Sequence, residues 1–219
     1  MKINFCSLGT ICHSSQLLKR NNLKKCSYPF DWIFSNCTMI SHCLHDNFNI
    51  FLDKSYYIDL KYKCGHSYYH ESLFNHHNPF NHYDYDYFTR CVERFKQLLK
   101  SREPKLFIIM YVNMNKDERD EVIKFNRTLS QYTSNYRLFV INHQKNSARH
   151  HYFDYIGNID FLYLYTLSNS DGKEFENVED NLYLDRIIQS KYTNKFINDL
   201  QKLKRIITIK CGLFTSSIS

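Results

Sequence analysis

The run Leu106-Phe-Ile-Ile-Met-Tyr-Val112 constrains this chain more than any other. Seven apolar residues without polar alternation mark a strand buried on both faces, and such strands belong to sheets covered by helices on both sides. The flanks agree. Upstream, Tyr87, Cys91, Phe95, Leu98 and Leu99 recur at helical spacing with Arg90, Glu93, Arg94 and Lys96 between them, until Arg102-Glu-Pro104 stops the helix. Downstream, 117–132 reads as a second helix with Val122, Phe125 and Leu129 on one face. Its first turn carries Asp117 and Glu118, where acids suit the helix dipole. Tyr136-Arg-Leu-Phe-Val-Ile-Asn142 follows as the next strand. Strand, helix and strand on short connectors imply a right-handed βαβ unit and a parallel sheet. The expectation is an α/β fold: a single three-layer domain over 1–219 with a mainly parallel, Rossmann-like sheet. An irregular His/Tyr-rich insertion interrupts it at about 56–83.

The remaining segments fit the same plan. Residues 3–8 read as a short buried strand, Gly9 ends it, and 14–20 read as an amphipathic helix. A helix is expected over 39–52, a strand over 159–167, a turn at Ser168-Asn-Ser-Asp-Gly172, one or two helices over 181–203 and a last short strand over 206–209. No internal repeat interrupts the series. At 219 residues, 43% of them apolar, the chain has material for one substantial core.

Several function classes are disfavoured. No segment approaches the roughly 18 apolar residues of a membrane span, and the first residues lack the long apolar region of a signal peptide. Eight cysteines without a C-x-x-C pair read as free thiols in a reducing compartment, a cytoplasmic setting. The net charge of +7 is scattered rather than gathered into a stripe, so no specific nucleic-acid partner is expected. Gly9 stands alone where a dinucleotide fold needs G-x-G-x-x-G, which counts against a nucleotide-dependent transferase. The histidines at 66, 70, 76, 77 and 82 lack a fixed ligand spacing and Pro79 interrupts any helix there, so no metal and no organic cofactor is expected.

Chemistry concentrates at the first turn. Cys12 and His13 lie between strand and helix, where free N–H groups and the helix dipole favour a thiolate and lower its pKa. That position makes Cys12 a candidate nucleophile; the alternative is a small buried hydrophobe. His13 reads as a surface residue at the helix start, able to contact substrate, because neighbours in a turn rarely point the same way as the nucleophile. Pro29-Phe-Asp-Trp32 carries the only Trp beside an acid. Asp31 either caps a turn amide or orients a histidine, and Trp32 is a candidate substrate contact. Phe74-Asn-His-His-Asn-Pro-Phe-Asn-His82 offers His76 or His77 as a general base, with no way to choose between them. Arg90 and Arg94, one helical turn apart, either clamp an anionic substrate or form a solvated face paired with Glu93 and Asp86.

In combination, Ser7-Leu-Gly-Thr-Ile-Cys12, Ser27-Tyr-Pro-Phe-Asp-Trp32 and Asn75-His-His-Asn-Pro79 before Arg90-Cys-Val-Glu-Arg94-Phe95 resemble a family of papain-like cysteine peptidases found in bacteria and large DNA viruses. Asp171-Gly-Lys-Glu-Phe175 and Asp180-Asn-Leu-Tyr183 also look like family positions. The resemblance implies a hydrolase acting on a peptide or related acyl bond, with Cys12 as nucleophile, a downstream histidine as base and Asp31 as its orienting partner. The Cys-before-His order matches papain-like enzymes, and an α+β papain-like fold is the alternative architecture. An A/T-rich composition, with abundant Asn, Lys and Tyr, fits a viral source and a host cytoplasm. The alternative function is a non-enzymatic interaction protein on a degraded enzyme scaffold, presenting its aromatic 56–83 segment to a partner.

Overall fold

The computed structural model describes residues 3–194. The expected last strand at 206–209, Cys211 and the end of the 181–203 helix lie outside the described residues. In chain order the elements are β1 (Asn4–Ser7), α1 (His13–Arg20), α2 (Cys37–His45), α3 (Asn49–Leu52), β2 (Tyr57–Asp59), β3 (Cys64–His66), β4 (His70–Phe74) and α4 (His82–Lys100). They continue as β5 (Lys105–Val112), α5 (Lys116–Tyr132), β6 (Tyr136–Lys145), β7 (His150–Ile156), β8 (Ile159–Thr166) and α6 (Val178–Ile188).

The main sheet has the order β1-β5-β6-β8-β7. Its first four strands are parallel and only the edge strand β7 runs antiparallel, against β8. The apolar run that dominates the sequence is therefore a central strand, flanked by β1 and β6 and buried on both faces from Lys105 to Tyr111. Alternate residues feed two cores. Phe5, Leu106, Ile108, Met110, Phe139, Ile141, Leu162 and Leu164 face α1 and α6. Cys6, Leu8, Phe107, Ile109, Leu138, Val140, Ile159 and Phe161 face the layer of α2 to α5. This is the three-layer α/β arrangement that a βαβ pattern dictates.

Two expectations are corrected. The 39–52 helix breaks at Asn47 and Phe48, whose φ values of 56° and 63° are left-handed. The Asp46 carboxylate accepts from the amides of Phe48 (2.9 Å) and Ile50 (2.8 Å), so a side chain starts a new turn where one long helix was expected. The 56–83 segment is more ordered than its composition suggests. β2, β3 and β4 form an antiparallel sheet, and Tyr57, Cys64, Leu73 and Phe74 enter the core beneath α3 and α4. Strands of three to five residues are too short to show a period among histidines and tyrosines.

The carboxyl ends of the parallel strands share one edge of the sheet. In open α/β sheets that edge is where ligands bind. It collects the β1–α1 turn, the end of β6 with His143, and the end of β8 with Thr166.

Candidate active site

The β1–α1 turn is strained and bolted. Gly9 has φ 81° and Thr10 has φ 69°. A left-handed conformation is costly for a β-branched residue, about 1–3 kcal/mol, and persists only where its surroundings over-determine it. Here the Thr10 amide donates to Ser35 Oγ (3.0 Å), and the Thr10 hydroxyl donates to the carbonyl of Met110 on β5. Ser35 Oγ donates to Leu8 O (2.6 Å) and Gly9 N donates to Ser7 Oγ (3.2 Å). Ser7 and Ser14 hydroxyls meet at 2.7 Å across the turn. A Cβ on Gly9 would fall 2.6 Å from Phe30 O and 2.2 Å from Ser35 Oγ, so only glycine fits.

Cys12 follows this turn as the N-cap of α1, with helical φ −65° and ψ −14° and no side chain capping the helix. The first-turn N–H groups are thus not taken up by a capping side chain, as an oxyanion-binding site requires. All seven described cysteines are free thiols, five of them buried; Cys12 and Cys26 alone reach the surface in part. The expected depression of the thiol pKa is not found. Burial raises Cys12 above its ordinary value, with the Asp31 charge adding to the rise and the Lys173 ammonium opposing it. The thiol is therefore mostly protonated at neutral pH and has to lose its proton during attack.

His13 is not a surface residue. Its ring is fully buried, with Nδ1 2.8 Å from Ser170 Oγ and a T-shaped contact to Phe175 at a centroid distance of 4.6 Å. Nε2 has no hydrogen-bond partner, and burial pulls the ring down to about 3, so it stays neutral. Phe175 also packs against a second buried imidazole, His143, with ring centroids 4.5 Å apart. Thr166 Oγ1 donates to Ser168 O (2.9 Å), so it accepts from His143 Nε2 (2.7 Å). That fixes the tautomer and leaves His143 Nδ1 a buried acceptor without a partner. Burial lowers this ring to about 4. His13 cannot contact substrate in this position; it is a docking point for the segment after β8.

That segment is a hairpin over 168–177. Ser170 bridges Phe175 antiparallel, and Asp171 N donates to Glu174 O (2.9 Å). Asn181 clamps its return arm, accepting from Phe175 N (3.0 Å) and donating to Phe175 O (2.8 Å). Asp180 holds its base by accepting from Ser168 N (2.8 Å), Ser168 Oγ (2.7 Å) and the Arg149 guanidinium.

The other candidates fall as follows. His77 gives Nδ1 to Asp84 (3.1 Å) and stacks on Tyr87 at 4.7 Å. His76 is exposed, and partial burial together with the charges of His77 and Lys173 keeps it below its ordinary value, neutral at pH 7. Lys173 thus acts on both Cys12 and His76, from opposite ends of the chain. Among the described residues no hydrogen bond joins Cys12 Sγ to an imidazole. Asp31 does not meet a histidine either. It is buried, ion-paired with Lys24, and accepts from Tyr28 N (2.8 Å). Its contacts are those of a turn anchor. Lys24 also donates to Ser15 Oγ on α1 (2.6 Å) and lies 5.1 Å from the Trp32 ring centroid. Trp32 lines an open cleft of about 480 Å³ with Lys19, Lys24, Lys25 and Cys26. Lys19 is seven residues along α1 from Cys12, about 10 Å at helical rise, so this cleft lies toward the other end of the helix. Arg94 is half-buried beside Cys91 and Arg90 is exposed. Neither forms the expected ion pair with Glu93 or Asp86 among the described residues.

Sequence reasoning missed His143, and it singled out 168–172 and 171–175 without giving Ser170 or Lys173 a role. The turn signal at 168–172 was present, but nothing in a local pattern says that a turn will land 157 positions away on His13. Among the described residues no group of three His, Cys, Asp or Glu side chains could hold a metal ion, and no helix is long and apolar enough to cross a membrane.

A family model described as "Putative papain-like cysteine peptidase" matches residues 3–146. No curated protein and no solved structure matches the chain.

Proposed function

The chain belongs to this papain-like cysteine peptidase family, whose model takes in Cys12, Asp31, His76, His77, Arg90 and Arg94, and on that footing we propose that it is a cysteine hydrolase of a peptide or related acyl bond. The observation that carries the reading is the placement of Cys12. It is a part-exposed thiol on an uncapped helix start, behind a strained and heavily bonded turn, at the carboxyl edge of a parallel sheet. Buried structural cysteines need none of these features.

The mechanism starts from a neutral pair. The Cys12 sulfur attacks the acyl carbon while an imidazole takes the thiol proton. His76 suits that role better than His77. It is neutral, exposed and shares Lys173 with Cys12, whereas His77 is committed to Asp84 and Tyr87 and anchors the loop. The amides at the start of α1 receive the developing oxyanion. The imidazolium then returns its proton to the leaving group. Water, deprotonated by the same ring, releases the acyl group from sulfur and restores the thiol. Asp31 supports the site through Lys24 and Ser15, which tie the 28–32 turn to α1.

The test is acylation by an activated ester, read by mass spectrometry of the intact protein and of its peptides. The expected result is one acyl group on Cys12, absent in Cys12→Ala. His76→Ala should lower turnover by about 10²–10⁴-fold and His77→Ala by much less. An unchanged burst in Cys12→Ala, or acylation confined to Cys26, would overturn the reading.

A further inference from the structure

Resting on Cys12 as nucleophile, we propose that Lys173, carried over the start of α1 by the 168–177 hairpin, is the specificity-determining residue of the site and selects acyl substrates that bear a carboxylate beside the reacting carbon. The placement is geometric. The hairpin is pinned to the residue next to the nucleophile by Ser170 Oγ on His13 Nδ1 (2.8 Å) and by Phe175, whose ring packs against those of both His13 and His143. Phe175 is 2% exposed, so the return arm is fixed as firmly as a core strand. The turn between those two anchors is only four residues long, 171–174, and Gly172 at φ 94° closes it. Lys173 has nowhere to be but at the tip, beside the Cys12 turn, and its side chain is exposed.

The surrounding charges leave this ammonium available. Among the described residues Lys173 makes no ion pair. Asp171 spends its carboxylate on the amides of Lys173 (2.7 Å) and Glu174 (2.8 Å), and its charge falls on His13. The Asp31 charge also reaches Cys12, but Asp31 is buried and ion-paired with Lys24. Glu174 and Glu176 are exposed. The Lys173 charge reaches both partners of the proposed proton transfer. The hairpin also lies beyond residue 146, where the family match ends. Specificity would then be supplied by a segment outside the matched part.

Site-resolved alkylation of Cys12 separates this from the nucleophile reading. Iodoacetamide and iodoacetate form the same thioether bond and expel the same iodide, but only iodoacetate carries a carboxylate. Any change in thiolate fraction alters both rates equally and cancels in their ratio. Lys173→Ala should lower the iodoacetate-to-iodoacetamide ratio about three- to tenfold and Lys173→Glu further, while Lys173→Arg keeps it. The difference should shrink with added salt, as for an exposed charge. Slowing of the iodoacetamide reaction by N-acetylalanine points to a terminal carboxylate, and slowing by the α-amide of N-acetylglutamate points to a side-chain one. A ratio unmoved in Lys173→Ala and Lys173→Glu, with brisk labelling by iodoacetamide, overturns the role of Lys173 and leaves Cys12 as nucleophile. A native protein whose Cys12 resists iodoacetamide removes both.

Discussion

At Gly9 the fold has no freedom. A methyl group there meets a backbone carbonyl at 2.6 Å and forces an L-residue to hold φ 81°. Gly9→Ala should destabilise the protein by more than about 1 kcal/mol, and on the order of 2–3 kcal/mol if the Phe30 carbonyl cannot retreat. Urea unfolding checks this, and a stability within error of the wild type would show that the turn is softer than its hydrogen bonds suggest. Cys12 permits a second prediction. Its thiol is raised by burial and His76 is lowered, so the two ionisations move apart. Hydrolysis should rise with a midpoint below that of an ordinary imidazole, as His76 loses its proton, while alkylation of free Cys12 should have its midpoint above that of an ordinary thiol. A common midpoint for both would instead mean a preformed thiolate–imidazolium pair. Cys12 was legible in the sequence because strand, glycine and helix are local signals that fix a turn. His13 was misread for the converse reason: its burial comes from Ser170 and Phe175, which no local pattern connects to it.

Among the elements, the 168–177 hairpin lies past the family-matched residues 3–146 yet docks back onto them at His13 and His143. Its return arm depends on Asn181 in α6, whose amide group satisfies both the N–H and the C=O of Phe175. Asn181→Ala leaves two buried backbone groups unpaired, at about 1–3 kcal/mol each. The expected outcome is faster amide exchange at Phe175 and Glu176, together with a partial loss of the alkylation ratio set by Lys173. Unchanged exchange would show that the Phe175 ring alone holds the arm. Legibility at this scale tracks length and periodicity. α4, β5, α5, β6 and β8 could all be read, since each is long enough to show its burial pattern. β7 could not, because His150-His-Tyr-Phe-Asp-Tyr-Ile156 is an edge strand whose residues remain exposed or half-buried. The break inside the 39–52 helix was equally hidden, since it rests on one aspartate caught by two amides.

For the molecule as a whole, the two buried imidazoles make stability depend on pH well above the range where carboxylates titrate. In the unfolded chain both histidines titrate near 6.5; in the native protein His13 is held down to about 3 and His143 to about 4. Between pH 6.5 and about 4 the unfolded state binds protons that the native state refuses. Stability therefore rises with pH across that window, is complete above 6.5 and is lost on acidification. Each ring contributes a slope of about 1.4 kcal/mol per pH unit once fully protonated in the unfolded chain, so the pair gives roughly 2.7 kcal/mol per unit near pH 5. His66, His76 and His151, also lowered by burial, add in the same direction. Asp84, Asp171 and Asp180 are held below the usual carboxylate range by their hydrogen bonds, and their contribution is lost only at lower pH. Urea melts from pH 7.5 to 4.5 should show this steep fall, and His143→Gln should flatten it by close to half of the pair's share. A flat profile would mean that the rings admit a proton where they lie, and that the hairpin over Cys12 opens readily enough to let it in. A shallow slope for His13 with a steep one for His143 would place that opening at Ser170, the contact nearest the nucleophile.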